Sequence, residues 1–249
     1  MPPRRPRHAK ERPPDPRAVE APWRLFVAVP LPPPVIESVR GLVRDLSAEG
    51  WPVRWVAAET AHLTLQFLGD TPPERAELLR LALPPLVAGH PAFDLRTADL
   101  GVFPNQKRPR VLWLGLWGPA HRLETLQRAV TGLLRDLEFP VDDRPFHPHI
   151  TLGRLRDAPN TPTRDLPAAI QRRYAELAAA GRGTAKAPTP VPVREVLLMR
   201  SFLGRDGARH EPLARCPLGP PAERPRPRPA VTTPEGAVAP PGERAEDAG

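Results

Sequence analysis

A His-aliphatic-Thr-Leu tetrapeptide occurs twice, as His62-Leu63-Thr64-Leu65 and His149-Ile150-Thr151-Leu152, 87 residues apart. Imidazole takes or gives a proton near neutral pH, and a Thr hydroxyl donates hydrogen bonds to an anion. On a strand, residues i and i+2 share a face, so each motif sends His and Thr one way and its two aliphatic residues the other. Leu63, Leu65, Ile150 and Leu152 then anchor the strands, while His62, Thr64, His149 and Thr151 face outward or into a groove. Two imidazoles and two hydroxyls around one groove suit phosphoryl chemistry without a metal. One neutral His takes a proton from an attacking water, and the other, protonated, gives one to the leaving oxygen; hydroxyls and nearby Arg steady the pentacoordinate phosphate. A single such motif is ordinary strand sequence, but two in strand context argue for a site. A metal site built from His147, His149 and His62 is the competing arrangement, disfavoured because no acidic partner is evident nearby.

The elements that must position these residues alternate between period 2 and period 3.6. RLFVAV (24–29), VRWV (53–56), HLTLQFLG (62–69), FDLRTADLGVFP (93–104), RVLWLGLWG (110–118) and HITLGRL (149–155) read as strands. VREVLLMRSFL (193–203) and ARHEPLARCPL (208–218) read as a closing pair joined by a GRDG turn. Helices are predicted from the apolar faces of Val35 to Leu46 and of Leu123 to Leu137, and over PPERAELLRLAL (72–83), which opens with Pro. A fourth runs over 165–181, capped by Asp165 and stopped at Gly181. The mixture predicts an α+β architecture with one motif in each of two αβ halves.

The 249 residues include 39 Pro, 36 Lys+Arg against 28 Asp+Glu, and one Cys. Pro and charge gather in residues 1–22 and 220–249, two expected disordered tails that flank a folded region over 23–219. The tails carry +3 and −1 of the net +8, so the folded region holds +6. Only three of the 36 basic residues are Lys; an Arg-rich surface suits a phosphate-bearing partner but equally reflects G+C-rich coding. The lone Cys216 excludes an intrachain disulfide framework and a multi-thiolate zinc site, and reads as an inert buried thiol. No stretch approaches the ~20 apolar residues of a membrane span, and the expected location is the cytoplasm.

Five segments carry a family resemblance: RLFVAVPLP (24–32), RWVAAETAHLTLQFLGD (54–70), GVFPNQKRPRVLWLGL (101–116), FHPHITLGR (146–154) and LLMRSFLGRDGARHEPLARCPL (197–218). In number, order and spacing they resemble the two-histidine (HxTx) phosphoesterases, in particular the RNA 2′,3′-cyclic phosphodiesterase or 2′-5′ RNA ligase branch. The resemblance implies a bilobal α+β fold with a pseudo-two-fold axis, two αβ lobes with antiparallel sheets flanking a central cleft. It further implies that His62 is the proton donor to the departing 3′ oxygen, that His149 is the acceptor that activates water, and that Thr64 and Thr151 hold the phosphate. The product would end in a 2′-phosphate, no metal or cofactor would be needed, and in the family's reverse direction the same residues would join a 2′,3′-cyclic phosphate to a 5′-hydroxyl as a 2′-5′ bond. The partner would be RNA or an oligonucleotide bearing a 2′,3′-cyclic phosphate, met by a monomer without membrane attachment. Where many relatives have a GxxY pattern, this chain has Gly207-Ala208-Arg209-His210.

Further substrate contacts are expected from Arg154, Arg110 and Phe146. Arg154 falls at i+5 from His149, on the wrong strand parity unless a twist or bulge after Gly153 redirects it. Phe26 is expected in the core, and Trp55, Trp113 and Trp117 in the core or lobe interface; His147 either tunes the cleft or lies exposed. Two other functions fit the same motifs. One is a phosphodiesterase for small nucleotide cyclic phosphates, and the other is a module that binds RNA ends or nucleotides without turnover.

Overall fold

The structure is a computed structural model that describes residues 21–142, 144–156, 165–182, 187–204 and 207–221. The two Pro-rich tails predicted from composition lie, apart from residues 21–22 and 220–221, outside the described residues. Nine strands and four α-helices follow in the order β1 (Trp23–Pro30), α1 (Pro33–Ser47), β2 (Val53–Trp55), β3 (His62–Thr71), α2 (Pro73–Ala88), β4 (Phe93–Phe103), β5 (Val111–Trp117), α3 (Ala120–Asp136), β6 (His149–Leu155), α4 (Leu166–Ala179), β7 (Pro190–Val193), β8 (Glu195–Gly204) and β9 (Gly207–Pro217). A short 3-10 turn, Ala58–Thr60, precedes β3.

The α+β class is as predicted, and all the strand pairing is antiparallel. The strands form a single sheet in the order β7-β4-β5-β6-β3-β1-β8-β9, with β2 paired to β6. The two expected sheets are thus continuous, joined at the centre where β3 and β6 meet through the pair Leu63–Ile150. Nor are the lobes the two halves of the sequence. β1, β3, β8 and β9 pack with α2 and α3, whereas in the other half of the sheet β2 packs with α1 and β4 with α4. The chain crosses between them because β3 pairs with β1 and then with the late strand β6.

Local chemistry accounts for the elements. Val35, Val39, Leu42 and Leu46 recur at helical spacing and are all buried, and Pro33 starts α1 where a missing N–H costs nothing. α2 continues to Ala88, past the residue 83 expected, with Pro84 and Pro85 inside it. Fully buried Leu83 and Val87 hold that turn against the core, which offsets the helix bonds the two prolines cannot make. Asp165 occupies the N-cap position of α4 but makes no side-chain capping bond, contrary to expectation, while Gly181 stops the helix with φ of 70°.

β7 was not foreseen. Its Pro190 and Pro192 argue against a strand, yet it is the sheet's edge, where an absent N–H is tolerated, and Val191 and Val193 are fully buried. The closing hairpin begins at Glu195 instead of Val193 and pairs Gly204 with Gly207. Cys216 is buried as predicted, and burial, reinforced by Glu195, pushes its thiol up to about 11. Trp55 packs against the core, but Trp117, expected to pack, is 56% exposed.

Candidate active site

The same local pattern builds both halves of the site. Along β3 and β6 the first seven positions repeat one order: half-buried His, buried aliphatic, half-buried Thr, two buried residues, one exposed, one buried. Leu63, Leu65, Ile150 and Leu152 are 0–2% exposed, so the aliphatic halves of the motifs anchor the strands as predicted. The antiparallel pair Leu63–Ile150 sits between the two motifs. Continuing that register by one residue each way sets His62 against Thr151 and Thr64 against His149. The four predicted residues therefore meet at one seam, each His beside the Thr of the other motif.

The two imidazoles are held alike. Nδ1 of His62 donates to the Thr60 carbonyl at 2.8 Å, and Nδ1 of His149 donates to the His147 carbonyl at 2.7 Å. A carbonyl can only accept, so each ring keeps its proton on Nδ1 and leaves Nε2, at the opposite end of the ring, to exchange protons. His147 acts through its main chain; its side chain is exposed, with its ring 5.9 Å from that of Phe103. The hydroxyls of Thr64 and Thr151 are engaged by no other described side chain, which leaves them available to a ligand.

Aromatic rings fix the histidines, among them Phe26 and Trp113, which were expected in the core or the lobe interface. Phe26 is buried but stands apart from the hydrophobic core cluster, stacked on His62 with centroids 4.6 Å apart. His210 meets both rings edge-on, 5.4 Å from His62 and 5.0 Å from Phe26. On the other lobe, Phe103 stands edge-on to His149 at 5.0 Å, with Trp113 5.0 Å from Phe103 and 6.2 Å from His149. Gly101 makes this possible: a Cβ there would lie 2.1 Å from the Trp113 ring. Parity along β1, where residues 26 and 28 face opposite to 25, 27 and 29, is the signal that could have placed Phe26 on the His62 side.

Burial sets the protonation. His62 is pushed down to about 4, first by desolvation, with further lowering by charge on His210 and His149 that the Thr60 carbonyl partly offsets. His149 is lowered in the same way, with His147 and Arg154 adding to the effect of burial. Both rings are thus predominantly neutral at pH 7.

Arg154 reaches the cleft face by a bulge. Between β5 and β6 the register jumps from Leu112–Gly153 to Trp113–Thr151, so Leu152 is the extra residue and strand parity flips beyond it. β3 has the equivalent irregularity at Leu65, opposite the Val27–Ala28 step. His149, Thr151 and exposed Arg154 consequently share one face, and in β3 the counterpart of Arg154 is Phe67, 53% exposed and 6.1 Å from Phe26. The redirection expected after Gly153 thus occurs one residue earlier. Gly153 itself admits β2: a Cβ there would lie 2.5 Å from Cγ1 of Val53. Arg54 on β2 is paired directly with Arg154, and both are exposed.

The other two expected contacts fare differently. Phe146 is half-buried and packs against the core. Arg110 is exposed, and its main chain ties the strand ends together, the N–H donating to Phe103 at 2.6 Å and the carbonyl accepting from Leu155 at 2.9 Å. Among the described residues no three His, Cys, Asp or Glu side chains gather as a metal-binding group.

A central cleft with paired, tautomer-locked imidazoles defines a two-histidine phosphoesterase. The chain belongs to the 2′-5′ RNA ligase superfamily, whose family model matches residues 31–200. It is 33% identical over 168 residues to the RNA 2′,3′-cyclic phosphodiesterase of Aeropyrum pernix, a match covering 66% of this chain and 86% of that one. Another relative of the same name, from Geobacillus stearothermophilus, is 39% identical over 149 residues, 58% of this chain and 47% of that one. The chain thus spans about half the length of the Geobacillus protein. Escherichia coli LigT complexed with 3′-AMP superposes with a TM-score of 0.56 at 29% identity, covering 79% of this chain and 98% of that one. No described helix is long and apolar enough to cross a membrane.

Proposed function

We propose that the chain is an RNA 2′,3′-cyclic phosphodiesterase that opens a terminal cyclic phosphate to a 2′-phosphate; with an RNA 5′-hydroxyl attacking in place of water, the same opening forms a 2′-5′ bond. The observation that carries this is the matched pair of imidazoles, each with Nδ1 committed to a carbonyl two residues upstream and Nε2 left for proton transfer. His149 takes the proton from water as the water attacks phosphorus, and His62 gives one to the 3′ oxygen as the P–O3′ bond breaks. Thr64 and Thr151 donate to the non-bridging oxygens. After one turnover His149 holds a proton and His62 lacks one, and exchange with solvent resets the pair. Burial holds His62 neutral at pH 7, so its service as donor requires the substrate's negative charge to raise its proton affinity.

Arg54 and Arg154, directly opposed on the cleft face, favour an oligonucleotide over a lone nucleotide, because like charges facing each other across strands are tolerated best when an anion lies between them. A cytoplasmic monomer acting on RNA ends is the setting we expect. Hydrolysis of a 2′,3′-cyclic-phosphate oligonucleotide in EDTA tests the assignment: a 2′-phosphate product that vanishes in His62→Ala and His149→Ala supports it. A 3′-phosphate product, or activity that survives both substitutions, refutes it; stoichiometric binding with no turnover would make the chain a binding module.

A further inference from the structure

His210 lies outside both motifs yet touches the first. It comes from β9, paired with Ser201 of β8, and its ring stands edge-on to His62 at 5.4 Å and to Phe26 at 5.0 Å. Its Nδ1 is buried with no hydrogen-bond partner. A charged ring would place a second, unpaired N–H at that buried nitrogen, so the neutral form with its proton on Nε2 is the one that fits. Two imidazoles at this separation repel when both are charged.

We propose that His210 is a positioning residue for the proton donor: His62 and His210 form one coupled imidazole pair that holds at most a single proton near neutral pH. The share of that proton on His62 then sets the pH range over which the cleft can protonate a leaving oxygen. This rests on the role proposed above for His62. The directions of the shifts agree, since burial lowers His210 and charge on His210 adds to the lowering of His62. Other titratable or charged neighbours on this face are His149 of β6 and Arg24 of β1, whose strand position pairs with Ser201. Glu59, on the turn packed against β9, is held by Arg40, and Arg209 and Glu211, which flank His210, bind each other on the opposite face of β9. A Tyr at this place, as in the GxxY pattern, stays neutral to about pH 10 and would exert no such repulsion.

The test is an NMR titration of the imidazole resonances of the full chain between pH 3.5 and 8, beside the pH dependence of kcat/KM on a 2′,3′-cyclic phosphate. In the wild type, the His62 and His210 curves are expected to be mutually distorted, each departing from a single-site titration. His210→Phe keeps a ring but cannot titrate; in it the His62 midpoint and the alkaline limb of the profile should both move up by roughly half to two pH units. Independent single-site curves in the wild type, or an unmoved midpoint and limb in the variant, overturn the proposal, as does a uniform loss of rate at every pH. Should His210→Phe not fold, His210→Gln supplies the same readout. The NMR arm needs no turnover, so a failure of the phosphodiesterase assignment would leave it intact and distinguishable.

Discussion

Filling the cleft with an anion should reverse the protonation of His62. At about 4, His62 is protonated in only about one molecule in a thousand at pH 7, and bringing it to half-protonation there requires about 4 kcal/mol. One negative charge about 4 Å from the ring supplies about 4 kcal/mol at the effective dielectric of a partly buried site. A single phosphate charge is therefore enough to turn this ring from a spectator into a donor, and the coupling is reciprocal, so the anion binds more tightly when the ring is charged. Sulfate is the cleanest probe because it does not titrate in this range. NMR titration of His62 without and with saturating sulfate should show the midpoint rising from about 4 to near neutrality. If sulfate perturbs the cleft resonances while the midpoint stays at or below its starting value, the electrostatic account of the donor is wrong.

Three further outcomes can be checked. Phe26→Ala removes the ring stacked on His62 and lets water in, so the His62 midpoint should rise from about 4 toward 6.5 while urea unfolding shows a loss of about 3 kcal/mol. Because His62 titrates lower folded than unfolded, the unfolded chain takes up its proton first. Stability should fall as pH drops from 6.5 to about 4, by about 3 kcal/mol from this group, with no such loss above 6.5, and His62→Gln should flatten the dependence of the urea midpoint on pH. Replacing Arg54 and Arg154 together by Gln should reduce the slope of log affinity against log salt for a single-stranded RNA end by about 1.4, measured by fluorescence anisotropy; an unchanged slope would remove these residues from the RNA path.

The sequence was legible where one periodicity governs one element. The His and Thr of both motifs, their buried aliphatic partners, and the helical faces of α1 and α3 all follow from i+2 or i+4 spacing. It was not legible where register decides. The extra residues at Leu65 and Leu152 invert the faces of Phe67 and Arg154, and nothing in HLTLQFLG or HITLGRL marks a bulge beyond Gly153, whose need is close approach to Val53. Likewise, Phe26, Phe103, Trp113 and His210 gather around the imidazoles from β1, β4, β5 and β9. Such convergence depends on strand order, which a linear reading of an αβ alternation placed in two separate halves.

The rung Leu63–Ile150 gives the molecule an unusual division of labour between permanence and change. Both side chains are fully buried, and each is the immediate chain neighbour of a motif His and a motif Thr. The spacing of the two motif imidazoles is therefore tied to one strand pair at the middle of the sheet, not to the surrounding loops. The turns far from that rung, such as residues 105–109 between β4 and β5, can change charge without altering the distance between the two imidazoles. Variation among descendants of this scaffold should accordingly accumulate at its rim and alter which ligands are accepted, while the geometry of the two imidazoles stays the same.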